Sequence, residues 1–352
     1  MKYSVDAFPG RTFFSNGKEY LYFGGTGYLG LQTDLAFQDL YLQNIRKYGT
    51  GYSASRASNV RFSVYEEAES HMAKLFGCQA CFTVSSGFLA SQLVADYFVK
   101  QKYALFYAPE THVALQTAGF QNESNYAALQ KKIHQFLNKN PEAIIVVLLD
   151  TVQFFGQNYP YFEWLKKLPL ERIILVADDS HGFGILGTSG KGSYGILETL
   201  QSKELIVCGS LGKGYGIQAG AIIGNSHRIK SLKNTAMFAA SSPAVPAAMA
   251  TYLEATSIYQ LKLQKLRQNC ELFRKLLQQP HRFFSMPDHP AFTFKDDGLT
   301  AYLEDQFIII TNFPYPNDSG DKINRIVLSA HHTADDIKKL CELINSFNYT
   351  NN

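Results

Sequence analysis

An excess of charge of either sign is nearly absent from this sequence. Its 33 lysines and arginines face 30 aspartates and glutamates, a net +3. No block of like charges runs along the chain, so there is no basic stripe for nucleic acid and no polybasic patch for an anionic membrane. No uninterrupted apolar run approaches the length of a membrane-spanning helix. The opening MKYSVDAFPGRTFF lacks the apolar core of a secretory signal. Cysteine is scarce and odd in number: Cys78, Cys81, Cys208, Cys270 and Cys341. CQAC (78–81) has C-x-x-C spacing, but no second pair accompanies it and it leads into an apolar strand. That excludes a four-cysteine metal site and reads as structural. A reducing, cytoplasmic setting follows as the expectation.

What is present suits a globular protein: 46% apolar and 18% charged residues over 352 positions. EYLYFGG reads as a strand. DLAFQDLYLQNIRKYG reads as a helix with Asp34 as N-cap and Gly49 as stop. After a polar loop, GTGYSASRASNVRFS, the helix VYEEAESHMAKLFG follows. Short apolar runs then alternate with helical stretches: ACFTV with GFLASQLVADYFV, YALFYA with HVALQTAGF, AIIVVLLD with YFEWLKKL, then RIILVADD, ELIVCGS and AGAIIG. Continuous apolar strands between helices predict a mostly parallel, helix-covered sheet. A long helical region over 245–278 reads as a connector to a smaller α+β domain holding AFTF, TAYLED, FIIIT, RIVLSA and a closing helix. The expected organisation is an N-terminal segment (1–45), a large domain (46–245), and a connector helix with a small C-terminal domain (246–352).

Two glycine patterns invite a nucleotide reading. GTGYLG (25–30) matches G-x-G-x-x-G, but no second parallel strand with a terminal acid follows where a dinucleotide fold needs one. GTGYSA (49–54) follows a helix rather than a strand. The P-loop reading of GSLGKGYG (209–216) fails on spacing: Val207 stands where a glycine is needed, and Gly214 follows the lysine in place of Ser or Thr.

Lys213 gains meaning from its company. LVADDSHGFG (175–184) ends a strand with Asp178, Asp179 and His181, and the next strand delivers Lys213 just past its end. Carboxyl ends of parallel strands are where open α/β sheets bind ligands. An amine, a carboxylate and imidazoles at one rim are the set pyridoxal phosphate needs: lysine for a Schiff base, carboxylate for the pyridinium nitrogen. VSSGFLA (84–90) supplies a strand, a glycine turn and a helix start, so backbone around Ser86, Gly87 and Phe88 can cradle a phosphate. His112 follows the next strand and can cover a ring face. Each residue alone is more often a turn, a cap, a structural ring or a solvated side chain; the ordered set is what is specific. Arg325, opening RIVLSA, reads on spacing as a rim residue or a carboxylate clamp.

At these residues the chain resembles the α-oxoamine synthase group of fold-type I, class II pyridoxal-phosphate enzymes, over nearly its whole length. YLYFGGTGYLGL, YGTGYSASR, ADDSHGFGILGTSGKG, SLGKGYGIQAGAIIG and RIVLSAHHTADDI each resemble a family motif. The resemblance implies that Lys213 holds the cofactor as a Schiff base and later moves protons. It implies that Asp178 keeps the ring nitrogen protonated, His181 meets the phenolic oxygen and His112 stacks on the ring. Gly87 and Phe88 backbone with the Ser210 hydroxyl would hold the phosphate, and Arg325 the amino-acid carboxylate. It further implies a homodimer in which Ser241 or Ser242 reaches the neighbour's phosphate. The implied reaction joins an amino acid to an acyl-CoA with loss of carbon dioxide. An aminotransferase, or a scaffold that only binds the cofactor, are the competing readings. Departures fall on the substrate side: Thr26-Gly27 for the family's N-D, Tyr65 for a histidine, and Phe154 for a serine in DTVQFFGQN (150–158).

Overall fold

The structure, a computed structural model, describes residues 3–155, 158–314 and 322–349. Residues 156–157 of the segment DTVQFFGQN therefore lie outside the described residues. Eleven strands are described: β1 (Thr12–Ser15), β2 (Lys18–Phe23), β3 (Ala80–Val84), β4 (Ala104–Tyr107), β5 (Ile145–Asp150), β6 (Ile173–Asp178), β7 (Glu204–Ser210), β8 (Gly220–Gly224), β9 (Ala291–Phe294), β10 (Ile308–Pro314) and β11 (Lys322–Val327). They form two sheets, ordered β1-β2-β10-β11-β9 and β3-β8-β7-β6-β5-β4.

The chain divides into two compact units. One joins Met1–Gln38, Phe154–Gly156 and Ser257–Asn352; the other joins Asp39–Gln153 and Gln157–Thr256. These limits differ from divisions after 45 and 245, and side chains explain why. Asn44 donates to Thr251 Oγ1 at 3.2 Å and to Glu254 Oε2 at 3.0 Å. That ties the helix Leu35–Tyr48 to the helix Pro246–Glu254, which is buried along Pro246–Tyr252. The helical region after 245 is thus two helices, Pro246–Glu254 and Thr256–Leu276, separated at Ala255.

The larger unit contains the six-stranded sheet. β4, β5, β6 and β7 pair in parallel. β8 runs antiparallel to both β7 and β3, so β3 points the same way as β4–β7. β6 is buried at every position and β5 at all but its last, which is why both read as unbroken apolar runs. The helix Gly87–Lys100 packs on this sheet through Ala90, Leu93 and Val94, against Val146, Val176 and Ile206. HVALQTAGF and YFEWLKKL, expected to be helical, hold only the single 3-10 turns Val113–Leu115 and Leu165–Lys167. Extended backbone at Gln116 and the left-handed Gly119 (φ 88°) stop the first. The left-handed Phe162 (φ 48°) precedes the second. All five cysteines are free, and burial pushes the Cys78 thiol up to about 11, consistent with a structural CQAC.

In the smaller unit β2 pairs parallel with β10, and β11 pairs antiparallel with β10 and β9. TAYLED lies in the helix Asp297–Asp305. The closing helix Ala334–Ser346 begins with a reciprocal capping box between Thr333 and Asp336. Just before it, His332 is 1% exposed. Its Nδ1 accepts from the Ser329 amide at 2.9 Å, and its Nε2 lies 2.9 Å from the Tyr22 carbonyl. Only the neutral ring protonated on Nε2 satisfies both partners. Burial accordingly holds its pKa down at about 4, against 6.5 ordinarily. The unfolded chain then binds the proton more readily, so this contribution is complete above pH 6.5 and is lost as pH falls toward 4. The full loss is about 3 kcal/mol. Urea midpoints of wild type and His332→Gln should converge between pH 7 and pH 4; parallel pH profiles would contradict the assignment.

Among the described residues no helix is long and apolar enough to cross a membrane.

Candidate functional site

The carboxyl ends of β3, β4, β5, β6 and β7 share one edge of the larger sheet. Past them stand, in order, Ser86-Gly87, His112, Asp150, Asp178 and the loop carrying Lys213. Lys213 Nζ lies 2.8 Å from His181 Nε2. Asp178 is 6% exposed. Its Oδ1 accepts from the Ser180 amide and its Oδ2 from the Ser91 hydroxyl, both at 2.8 Å. The carboxylate is therefore fixed from the strand end and from the helix Gly87–Lys100.

The second aspartate does different work. Asp179 accepts from the Thr151 hydroxyl, from the Ser193 amide at 2.7 Å and from the Ser193 hydroxyl at 2.9 Å. A Cβ at Gly182 would fall 2.0 Å from its Oδ1, and one at Gly192 2.3 Å from its Oδ2. Asp179 is thus the post around which the glycine loop winds, and burial raises its pKa to about 6. Glycine follows Lys213 for a similar reason: a Cβ at Gly214 would meet the Phe183 carbonyl oxygen at 2.0 Å. The lysine loop packs backbone to backbone on the D-D-S-H-G loop.

Ser86 caps the helix Gly87–Lys100, accepting from the Leu89 amide at 3.1 Å. Its carbonyl takes the Ala90 amide. The Gly87 and Phe88 amides have no acceptor within the helix. A Cβ at Gly87 would lie 2.5 Å from the Ser210 nitrogen, so only glycine allows this close approach. Ser210 Oγ accepts the Gly212 amide at 3.1 Å. Phe88 is 54% exposed, so its backbone rather than its ring belongs to the cradle.

His112 donates its backbone N–H to Asp150 Oδ2 at 2.6 Å, and its Nδ1 accepts the Ala114 amide at 3.1 Å. The neutral ring therefore carries its proton on Nε2. Burial lowers its pKa, Asp178 opposes that, and Lys213 adds to it. Asp150 and Asp178 are register partners at the ends of β5 and β6. Burial, reinforced by Asp178, pushes Asp150 well above the usual carboxylate range. Asp150, Ser91 and Ser180 escaped the sequence reading. For Asp150 the signal was available, since VVLLD ends a strand in an acid just as RIILVAD does.

Arg325 belongs to the other unit, on β11, and is buried at 7% exposure. The S-R loop's Arg56 is a structural cation, paired with Glu69 at 2.8 and 3.1 Å beneath the Tyr65 ring. Tyr65, at the family's histidine position, donates its hydroxyl to the Ala244 carbonyl at 2.6 Å. Ser241 donates its hydroxyl to the Met237 carbonyl.

Comparison with known proteins decides the family. The sequence model "aminotransferase class I and II" matches residues 27–344. The chain belongs to the class I and II aminotransferase family. A curated 8-amino-7-oxononanoate synthase from Thermosipho melanesiensis is 25% identical over 339 residues, covering 92% of this chain and 86% of that protein. A serine palmitoyltransferase from Bacteriovorax stolpii is 24% identical, over 93% of this chain and 82% of its own. These two relatives bear out the α-oxoamine synthase resemblance drawn from the motifs. In fold, a solved structure of SPT with PLP as an internal aldimine superposes with a TM-score of 0.80, at 17% identity, covering 98% of this chain and 92% of that one. The expected fold-type I architecture is borne out.

The donor set fits pyridoxal phosphate. The Gly87 and Phe88 amides, which have no acceptor within their helix, can take a phosphate, a buried carboxylate lies on the same rim, and an amine stands against an imidazole.

Proposed function

We propose that this protein is a pyridoxal-phosphate-dependent α-oxoamine synthase, which joins an amino acid to an acyl-CoA thioester and releases coenzyme A and carbon dioxide. The observation that carries the reading is the 2.8 Å pairing of Lys213 Nζ with His181 Nε2 on the rim that holds Asp178. The cofactor, when bound, draws off the electron pair left as the amino acid loses its α-proton.

The chain's own residues do the rest. Lys213 supplies the amine and, beside His181, can take and return a proton at Nζ. Asp178, locked by Ser91 and Ser180, supplies a fixed negative charge opposite a protonated ring nitrogen. His112 offers a neutral ring face. The Gly87 and Phe88 amides and the Ser210 hydroxyl bind the phosphate, with Ser86 shaping the turn. Arg325 holds the amino-acid carboxylate. A homodimer, with Ser241 or Ser242 near the partner's phosphate site, completes the proposal and is supported by the motif resemblance; a cytoplasmic setting is supported by the scattered, free cysteines.

The test uses the cofactor-loaded protein with glycine, alanine or serine and a set of acyl-CoAs of differing chain length. Free CoA thiol and carbon dioxide released in equal amounts are the expected result. A keto acid formed without thiol release would replace this reading with an aminotransferase.

A further inference from the structure

Arg325 carries a charge that no carboxylate among the described residues answers. The ionisable groups acting on it are the phenols of Tyr28 and Tyr22, and burial lowers its pKa. Among the described residues its Nε has no hydrogen-bond partner. A buried cation in that position is costly unless something supplies the counter-charge.

The strand register shows what surrounds it. Arg325 pairs with Thr293 on β9 and with Thr311 on β10. Directly paired residues project from the same face of a sheet. Thr311 is 5% exposed, and its Oγ1 also has no partner among the described residues. Thr293 donates its hydroxyl to the Phe154 carbonyl at 3.1 Å. That bond fixes the backbone whose ring lies 3.9 Å from the Arg325 guanidinium carbon. His289 backs the same ring, with centroids 5.7 Å apart.

Two buried donors on neighbouring strands thus face one way and both lack acceptors. A water molecule would satisfy a dipole but leave the charge unanswered. A carboxylate offers two acceptor oxygens and the opposite charge. Phe154 covers one face of the guanidinium and closes that approach to an anion; arginine and carboxylate bind best in the guanidinium plane.

We propose that Thr311 and Phe154 complete the carboxylate subsite of Arg325, Thr311 as a second donor and Phe154 as the wall that holds the guanidinium plane. The inference rests on the reading of Arg325 given above. Because Phe154 stands where the resembled family has serine, the wall is a feature of this chain.

The experiment is a visible-spectrum titration of the cofactor-loaded protein with each amino acid and with its decarboxylated analogue: glycine against methylamine, alanine against ethylamine, serine against ethanolamine. Thr311→Val should weaken binding of the preferred amino acid about tenfold, the scale of one hydrogen bond to a charged group. Binding of the matching amine, the cofactor affinity and the melting temperature should not fall. Phe154→Leu should also reduce the preference for acid over amine. An unchanged preference in Thr311→Val overturns the second donor, and in Phe154→Leu the wall. Should Phe154→Leu not fold, the near-isosteric Thr311→Val still decides. If Arg325→Ala keeps the preference, or wild type has none for any of the three pairs, the reading of Arg325 fails instead.

Discussion

Replacing Lys213 by alanine should abolish covalent attachment of the cofactor while leaving its binding site in place. Borohydride reduction reads this directly. The wild-type chain should gain the mass of one cofactor less one oxygen, since water leaves as the imine forms and reduction adds two hydrogens, and the variant should stay at its unmodified mass. Turnover should fall by a factor of about 10³ or more, since the amine is both attachment point and proton carrier. The cradle at Gly87 and the carboxylate of Asp178 do not depend on Lys213 Nζ, so the variant should still take up the cofactor in dialysis. Cofactor fixed to the chain in Lys213→Ala would assign the attachment to another lysine and remove the central residue of the site.

The second large effect is expected from Asp178→Asn. Asparagine fits the same contacts: its Oδ1 can take the Ser180 amide, and the Ser91 hydroxyl can turn to accept where it donated. What disappears is the charge. Loss of a fixed counter-charge from a water-poor site costs about 10²–10³ in rate. The readout is exchange of the amino acid's α-deuterium with no acyl donor present, which isolates proton removal from condensation. Exchange within tenfold of wild type would contradict the role of Asp178. Asp179→Asn, by contrast, should act through stability, because Asp179 anchors Thr151, Ser193 and the glycine loop.

The amine, the acid and the imidazole of this site were legible because they are local. D-D-S-H-G and S-L-G-K-G each sit within a few residues of a strand end, and an apolar strand announces its own end. Spacing alone did not tell which aspartate of the pair faces the rim; the family resemblance is what singled out Asp178. The facing is set by strand alternation, which places Asp178 against Ser91 and Asp179 among the glycines. Spacing could not read the direction of β8 either, since GAIIG is equally apolar forwards and backwards. HVALQTAGF misled because apolar residues near helical spacing do not make a helix when Gly119 requires a left-handed backbone. Arg325 stayed ambiguous on spacing because its neighbours Thr293, Thr311 and Phe154 reach it only through strand pairing and a distant loop.

The reversed strand β8 has a consequence for the lysine it follows. Residues 211–219 join β7 to β8, and the two strands are hydrogen-bonded along Ile206–Ser210. Leu211 N also bonds to the Ala219 carbonyl at 2.9 Å, closing the loop at its neck. Both ends of the loop are therefore stitched into the middle of a sheet flanked by β3 and β6. Such a loop cannot fray like a terminus, for opening it means parting central strands. The amides of β7 and β8 beside Lys213 should belong to the slowest hydrogen-exchange class of the protein. The reactive amine would then lose its station only in the same event that unfolds the unit around it.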